Sequence, residues 1–189
     1  MFVDLKGRHV LVVGGGKIAA RRVRTLLEFG CRITVVSPEI CEELWEMLER
    51  NAGIVKDDGK SGSEKVKFSG MDEKNRIVWK KKKYESGELE MLLPDGMEAN
   101  GAGDRKEYGF AFVLAAAVPG INAEVVRGCR KKRIPVNNAS DRDQCDFYFP
   151  GIAKDGDTVV GITSGGGDHK MAARISGKIR ELLTAMHRN

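Results

Sequence analysis

The sequence predicts an α/β fold with a doubly wound parallel sheet, and three observations support this class. An apolar run at residues 10–13 leads through a glycine-rich turn into an amphipathic stretch, and then into a second apolar run at residues 32–36. This is the order of a strand–helix–strand unit. The apolar run at residues 110–117 is typical of a central parallel strand that is buried on both faces. Strand-like and helical segments also alternate along most of the chain, as parallel sheets require.

The turn after the first strand reads Gly14-x-Gly16-x-x-Ala19, which is the spacing of a dinucleotide-binding fingerprint. Gly14 permits the tight turn, Gly16 lets a pyrophosphate approach the main chain, and Ala19 lets the helix pack closely on the strand. The first turn of the helix adds N–H groups and a partial positive charge. The motif and its flanking strands therefore predict a Rossmann-like domain that binds a dinucleotide.

The other elements of this domain continue the alternation of helix and strand. In chain order they are predicted at residues 40–50 (helix), 76–80 (strand), 86–93 (helix), 110–117 (strand), 122–132 (helix) and 134–137 (strand). Two polar, glycine-rich segments, at about 51–75 and 94–109, interrupt the alternation and are interpreted as surface insertions. The Rossmann-like domain is therefore predicted to occupy residues 1–149.

Residues 150–189 form a short strand-plus-helix region. Two short strands at 151–153 and 158–163 are joined by a KDGD turn, and a Ser-Gly-Gly-Gly turn then precedes a helix over about 168–187. This region is too small to fold alone. We expect it either to pack on the first domain or to exchange with a partner subunit.

Composition limits the classes of protein that remain. With 189 residues and 41% hydrophobic content, the chain can build one core and a small second unit. It contains no apolar run of about 18 residues or more and no signal-peptide core, so we expect a cytoplasmic protein that does not enter a membrane. The four cysteines are scattered without a CxxC pair, which indicates reduced thiols. With only three histidines, no metal site is predicted.

The net charge of +5 and the pI of about 9.0 favour anionic partners. Two basic clusters, at residues 80–83 and 130–133, supply much of this charge. Neither cluster contains the interleaved aromatic residues of a base-stacking surface, so we do not expect the protein to bind nucleic acid.

Three segments together resemble one known family. They are VVGGGKIAARRVRTLLEFGCRITVVSPE at 12–39, IPVNNASDRDQCDFYFPGI at 134–152 and VVGITSGGGDHKMAARISGKIREL at 159–182. In order and spacing they resemble the precorrin-2 dehydrogenase/sirohydrochlorin ferrochelatase module of siroheme synthesis. The resemblance implies NAD-dependent oxidation of the tetrapyrrole precorrin-2 to sirohydrochlorin, with insertion of ferrous iron in some members. It also implies an intertwined homodimer, which makes residues 150–189 a dimerisation region.

The resemblance also assigns cofactor-binding residues. The phosphate loop that holds NAD corresponds to Gly14, Gly16, Lys17 and Ile18, and the adenosine ribose corresponds to Ser37, Pro38 and Glu39. An acidic residue at this place accepts hydrogen bonds from the ribose hydroxyls and repels a 2′-phosphate, so Glu39 favours NAD over NADP. In the alternative interpretation, Glu39 is an acid near the start of the next helix, where it opposes the helix dipole.

The catalytic position departs from the family. Bifunctional members place an aspartate, thought to be the general base, after the strand that precedes the CDF segment. Counting back from Cys145 puts Ser140 at this position, with Asp141 next to it. A serine cannot accept a proton near neutral pH, whereas a carboxylate can. We therefore predict a dehydrogenase in which Asp141 is the proton acceptor, with iron insertion left open. Asp141 can alternatively be a simple turn residue.

Two further observations leave alternatives open. The family follows the strand at 110–117 with a polar pair, but this chain reads AAAVPGIN there. Ser164 corresponds to a serine near the substrate cleft, but it can equally be part of a helix N-cap. A sirohydrochlorin chelatase, or a non-catalytic tetrapyrrole-binding protein with a vestigial NAD site, therefore remains an alternative. A nucleotide-binding regulatory domain would share the glycine fingerprint without the CDFYFP and TSGGG segments.

Overall fold

The computed structural model describes residues 3–51, 77–85, 89, 109–165 and 167–186. Within these residues, five strands form one parallel sheet. The strands are β1 (His9–Val13), β2 (Arg32–Ser37), β3 (Ile77–Lys81), β4 (Phe112–Ala115) and β5 (Val136–Asn138). Their spatial order, β3-β2-β1-β4-β5, confirms the predicted Rossmann-like class.

Three helices cover the sheet in this part of the structure. They are α1 (Lys17–Glu28), α2 (Glu42–Asn51) and α3 (Pro119–Lys132). The third helix begins three residues before the predicted start, because Pro119 has a fixed φ that suits the first turn. The fifth strand begins at Val136 rather than Ile134, after Pro135, which has no N–H to donate. The helix predicted at 86–93 and the two insertions lie almost entirely outside the described residues.

Four of the five strands, β1, β2, β4 and β5, are almost entirely buried, whereas the edge strand β3 is only partly buried. In β1, residues Val10 to Val13 are at most 1% exposed, and all of β4 is buried. One face of the sheet packs on α3, where Leu11 and Val113 join a core cluster with Val125 and Cys129. Helix α1 contacts β1, β2 and α2. Because both faces are buried from Val10 to Val13, this part of β1 is a continuous apolar run.

The topology defines where a ligand would bind. The chain runs outward from β1 to β2 and β3, and then returns to the other side of β1 to form β4 and β5. The loops after β1 and β4 therefore leave neighbouring strands in opposite directions. In open α/β sheets, the crevice at the carboxyl ends of such strands is the usual ligand-binding site.

Residues 147–189 form a second compact unit, separate from residues 1–146. In it, β6 (Gly151–Asp155) and β7 (Thr158–Ile162) form an antiparallel hairpin that packs on α4 (His169–Met186). Ala172 and Ser176 are the buried α4 residues, and a Cβ on Gly151 would lie 2.5 Å from Ser176 Oγ. None of the helices in the described residues is long and apolar enough to cross a membrane.

Candidate functional site

The loop between β1 and α1 is held by main-chain contacts. Gly14 has a φ of 118°, and a Cβ at this position would overlap the carbonyl oxygen of Ala116, just after β4. A Cβ on Gly15 would likewise overlap the carbonyl oxygen of Glu39. The N–H of Gly14 donates to the Val36 carbonyl (2.9 Å), so the loop is locked against the ends of β2 and β4. Glycine is therefore required at both positions by the protein itself.

Gly16 differs from its two neighbours. A Cβ on Gly16 would meet no described protein atom within 4 Å. Gly16 is the N-cap of α1, no side-chain hydrogen bond caps the helix, and its first turn contains no acidic residue. The first-turn N–H groups of Lys17 and Ile18 therefore lie beside open space, which fits a pyrophosphate. The structure thus brings together the four predicted residues of the phosphate loop.

The end of β2 forms the next part of the site. Ser37 is buried, and its Oγ donates to the Glu39 carbonyl (2.6 Å), so its side chain shapes the turn that follows β2. Beyond it lies a shallow cavity of about 350 Å³. The cavity is lined by Pro38, Glu39, Ile40, Glu42, Trp45, Trp79 and Lys81. Pro38 and Glu39 therefore lie at an open pocket, whereas the Ser37 hydroxyl is engaged within the protein.

Two tryptophans form adjoining walls of this pocket, and they are the only two in the chain. The ring centroids of Trp45 and Trp79 are 6.1 Å apart, and the rings are perpendicular. Trp79 Nε1 donates to the Ser37 carbonyl (2.9 Å), and Trp45 Nε1 donates to Glu49 (2.9 Å). Lys81 Nζ lies 5.8 Å from the centroid of Trp79. With both N–H groups satisfied, the pocket offers aromatic surface together with one ammonium group and two carboxyl groups.

The sequence did not identify Trp45, Trp79 or Lys81 as site residues. They come from α2 and β3, and no short motif links them. The usable signal was the alternation in β3, which places Trp79 and Lys81 on the same face of the strand.

The loops after β4 and β5 meet at the side chain of Asn122, which is fully buried. Its Oδ1 accepts the N–H of Ala117 (2.8 Å), and its Nδ2 donates to the Ala117 carbonyl (3.1 Å) and to Ser140 Oγ (2.9 Å). Residues 116–118 have only apolar side chains, and Val118 is 65% exposed. The segment after β4 thus presents main-chain groups that are held by one buried amide, and residues 116–118 carry no polar side chain.

Ser140 and Asp141 occupy different environments. The N–H and the Oγ of Ser140 both donate to Asn138 Oδ1, at 3.0 and 2.9 Å. Asp141 is only partly buried, and its Oδ1 accepts the N–H of Asp143 (3.0 Å), which caps the 3₁₀ turn Arg142–Gln144. Ser140 is exposed, but its hydroxyl and its N–H are both hydrogen-bonded within the protein. Asp141 has the contact expected of a turn residue, and in the sequence it directly follows the position where the resembled family has its base.

The end of this loop is held by Cys145 and Asp146. Cys145 Sγ accepts the N–H of Asn138 and donates to the Asn138 carbonyl, both at 3.2 Å, and Asp146 Oδ2 accepts the N–H of Val136 (2.9 Å). Burial raises the pKa of the Cys145 thiol and raises that of Cys129 to about 12. Both cysteines therefore stay protonated near neutral pH and act as packed thiols.

Ser164 lies in the second unit. Its Oγ accepts the N–H of Asp168 (3.1 Å) and donates to the carbonyl of the same residue (2.9 Å), while Asp168 Oδ1 accepts the N–H of Met171 (2.8 Å). These bonds agree with the N-cap interpretation, and a substrate contact for Ser164 stays a prediction. Among the residues that the structure describes, no group of three or more His, Cys, Asp or Glu side chains could hold a metal ion.

Known proteins are similar in sequence to nearly the whole chain. A family model described as "Putative NAD(P)-binding" matches residues 1–151. The "Probable multifunctional siroheme biosynthesis protein HemA" of Ruminiclostridium josui is 31% identical over 183 residues, which are 96% of this chain and 28% of that protein. The siroheme synthase of Photorhabdus laumondii is 31% identical over 186 residues, 97% of this chain and 30% of that protein. The chain thus spans less than a third of the length of these relatives.

A solved structure named "SirC, precorrin-2 dehydrogenase" has a similar fold. Its TM-score is 0.59 and its sequence identity is 23%, and the match covers 96% of this chain and 69% of that chain. The fold similarity includes residues of both compact units.

Proposed function

The chain belongs to the NAD(P)-binding family whose model covers its first 151 residues, and on this premise we propose that it is an NAD-dependent dehydrogenase that oxidises precorrin-2 to sirohydrochlorin in siroheme biosynthesis. One observation carries the cofactor part of the proposal. Protein atoms exclude a Cβ at Gly14 and Gly15, whereas the space beside Gly16 is open at an uncapped helix N-terminus. The similarity to siroheme biosynthesis proteins, and the fold shared with a precorrin-2 dehydrogenase, support the substrate.

The residues of the first unit divide the binding task between two pockets. The first turn of α1 holds the pyrophosphate through main-chain N–H groups. Glu39, at the exposed edge of the cavity after β2, accepts hydrogen bonds from the ribose hydroxyls and repels a 2′-phosphate. Trp45 and Trp79 give the adenine an apolar corner. Bound NAD supplies the hydride acceptor for the reaction.

Oxidation of the macrocycle removes one hydride and one proton. Bound NAD would accept the hydride, and the carboxylate of Asp141 accepts the proton and passes it to solvent. Asp141 suits this task better than Ser140, because both the Oγ and the N–H of Ser140 are bonded within the loop. This bonding favours a dehydrogenase without efficient iron insertion, so ferrous iron is a further substrate to be tested.

The charge of the chain suits a substrate that bears many carboxylates. The net charge is +5, and basic residues cluster at 80–83 and 130–133. Such a surface raises the local concentration of a polyanion and speeds its encounter. Cytoplasmic location and the absence of nucleic-acid and membrane partners complete the proposal.

We also propose that the second unit dimerises. Met171, Ile175, Leu182 and Met186 of α4 are all exposed, and their spacing places them on one narrow stripe of the helix. The buried residues Ala172 and Ser176 are next to this stripe and pack on the hairpin. An exposed apolar stripe on a well-formed helix is typical of a subunit interface, and an isologous contact between two copies would bury it.

An anaerobic assay with precorrin-2 and NAD tests the proposal directly. We expect NADH and sirohydrochlorin to appear together, and no change without NAD. Addition of ferrous iron then shows whether the product is converted to siroheme. If iron is inserted but no NADH ever forms, the protein is a chelatase. If sirohydrochlorin binds without any turnover, it is a tetrapyrrole-binding protein.

A further inference from the structure

The side chain of Asn122 uses all of its hydrogen-bonding groups on two different loops. Its carbonyl oxygen and one N–H pair with the two main-chain groups of Ala117, and its other contact is Ser140 Oγ at 2.9 Å. Asn122 is 0% exposed, so water cannot replace these partners. The amide therefore acts as a fixed bridge between the loop after β4 and the loop after β5.

Each of the two loops that Asn122 joins makes further contacts. The loop after β4 contacts the glycine loop closely, because a Cβ on Gly14 would lie only 2.7 Å from the N atom of Ala117. On the other side, Ser140 receives the Asn122 bond and donates its own to Asn138 Oδ1 (2.9 Å). The next residue is Asp141. One connected set of contacts thus runs from the glycine loop to the carboxylate that we propose as proton acceptor.

This arrangement suits a hydroxyl group at position 140. The group at this position must accept a hydrogen bond from Asn122 Nδ2 and donate one to Asn138 Oδ1. A hydroxyl does both, whereas an ionised carboxylate only accepts. An aspartate at position 140 would face the oxygen of Asn138 without a proton to share.

We propose that Asn122 and Ser140 are positioning residues. Through their hydrogen bond, the loop after β4, which contacts the glycine turn, fixes the position of the loop after β5, which carries Asp141. This inference rests on the proposed function and extends it, because it assigns the coupling between the cofactor side and the proton-transfer side to two side chains. Neither residue is a catalytic residue, since each acts through the loop that it holds.

Two variants separate the two halves of the bridge. Ser140→Ala removes the hydroxyl but leaves both bonds between Asn122 and Ala117. Asn122→Leu keeps a similar volume and removes all three bonds. Asn51→Leu is the matched control, because in the described part of the structure the Asn51 amide donates to the Met47 carbonyl within α2 and to neither of the two loops. Ser140→Thr restores the hydroxyl and should restore what Ser140→Ala loses.

Amide hydrogen exchange gives a readout that does not depend on activity. In Ser140→Ala we expect the amides of residues 139–145 to exchange about tenfold faster, with Ala117 unchanged. In Asn122→Leu we expect both loops to exchange faster, and in Asn51→Leu neither. Unchanged exchange at 139–145 in Ser140→Ala overturns the proposal. This variant alone is decisive if Asn122→Leu does not fold.

Kinetics test the consequence for the reaction. We expect Ser140→Ala to lower kcat about tenfold while the NAD affinity stays within about twofold, because only the base-bearing loop is displaced. A changed NAD affinity with unchanged kcat would contradict the assignment. If the wild-type protein forms no NADH, the proposed function fails, and the exchange data still decide whether Asn122 couples the two loops.

Discussion

The loop after β1 and the loop after β5 lie on the same edge of the sheet, but they are held in different ways. The glycine loop is fixed by main-chain groups of its neighbours, chiefly Val36 and Ala116. In the loop after β5, the side chains of Asn138, Ser140 and Cys145 make hydrogen bonds in addition to those of the main chain. One loop therefore requires the absence of side chains, and the other requires particular ones.

This difference has a consequence for how each loop can change. A loop that packs main chain on main chain tolerates only glycine, so its pattern is the same wherever the geometry is used. A loop held by side chains can exchange one set of hydrogen bonds for another. Ser140 illustrates this, because it stands where the resembled family has an aspartate and still closes a complete network. The functional groups presented by the loop after β5 can thus be changed more easily than those of the glycine loop after β1.

The sharpest test of the comparison is a pair of glycine substitutions. We expect Gly14→Ala to lower the free energy of unfolding by about 3 kcal/mol and to abolish NAD binding, since its Cβ would overlap the Ala116 carbonyl at a positive φ. We expect Gly16→Ala to fold normally, within about 1 kcal/mol of wild type, because its Cβ meets open space. Its NAD affinity should still fall at least about tenfold, because the pyrophosphate needs that space.

Urea unfolding and NAD titration followed by tryptophan fluorescence measure both properties. Trp45 and Trp79 both line the pocket, so the fluorescence reports binding at the site itself. Equal destabilisation by the two substitutions would show that the loop is not held in the way described. Unchanged NAD affinity in Gly16→Ala would place the cofactor elsewhere.

The second loop is tested at its carboxylates. We expect Asp141→Asn to lower kcat about a hundredfold, because the amide cannot accept the proton. The structure should persist, since an amide oxygen can still accept the N–H of Asp143. Asp143→Asn is the matched control, because it removes the same charge from the same 3₁₀ turn. Equal losses in the two variants would indicate a general charge effect and would remove Asp141 from the mechanism.

The fold was predictable because its signals are local. The apolar run of β1, the glycine turn and the amphipathic pattern of α1 lie within 20 residues of one another, and each maps onto one observed element. The starts of α3 and β5 differ from the prediction by three and two residues, at Pro119 and after Pro135. The position and the geometry of the glycine loop were therefore both predictable, because the loop requires particular residue types at a fixed spacing.

The rest of the site was less predictable because its contacts are distant in sequence. Ser140 and Asp141 were found only by resemblance, and the role of Asn122, 18 residues away from Ser140, was not identified at all. Trp45 and Trp79 approach each other only after β2 and β3 pair. Side-chain networks of this kind follow from tertiary packing, and no periodicity in the sequence reports them.

Protonation of His9, at the opposite end of β1, tests whether a change in stability there alters the glycine loop. Burial, followed by the charges of Arg32 and Lys80, lowers the pKa of His9 from 6.5 to about 4. Its Nδ1 is buried without a partner among the described atoms. The unfolded chain therefore takes up this proton at a higher pH than the folded chain, and the stability present above pH 6.5 is lost as the pH falls toward 4.

We expect this loss to reach about 3 kcal/mol, and His9→Gln to remove that part of the pH dependence. Urea unfolding between pH 7 and pH 4 measures it in both proteins, with pH values in that range spanning the two pKa values of His9. The NAD affinity of the folded protein should not change as His9 titrates, because His9 lies at the start of β1 and the glycine loop follows the other end of the strand. A parallel fall in affinity would show that the main-chain contacts do not isolate the loop.

The smallest expected effect concerns the choice between NAD and NADP. Glu39 and Lys81 line the same cavity, and Lys81 pairs in register with Ser37 at the end of β2. Replacing Glu39 by serine removes the carboxylate that repels a 2′-phosphate and leaves the ammonium group, so the ratio of NADP to NAD affinity should rise about tenfold.

Glu46→Ser removes the same charge from the Arg50 pair, outside the pocket lining, and should leave the ratio unchanged. Tryptophan fluorescence titrations with both dinucleotides measure the ratio, and an equal shift in the two variants would mean that net charge, rather than the side chain at the end of β2, selects the cofactor. Since this selectivity depends on one side chain at the rim of a loop whose interior is fixed by main chain, it should change without loss of stability, in contrast to the effect of Gly14→Ala.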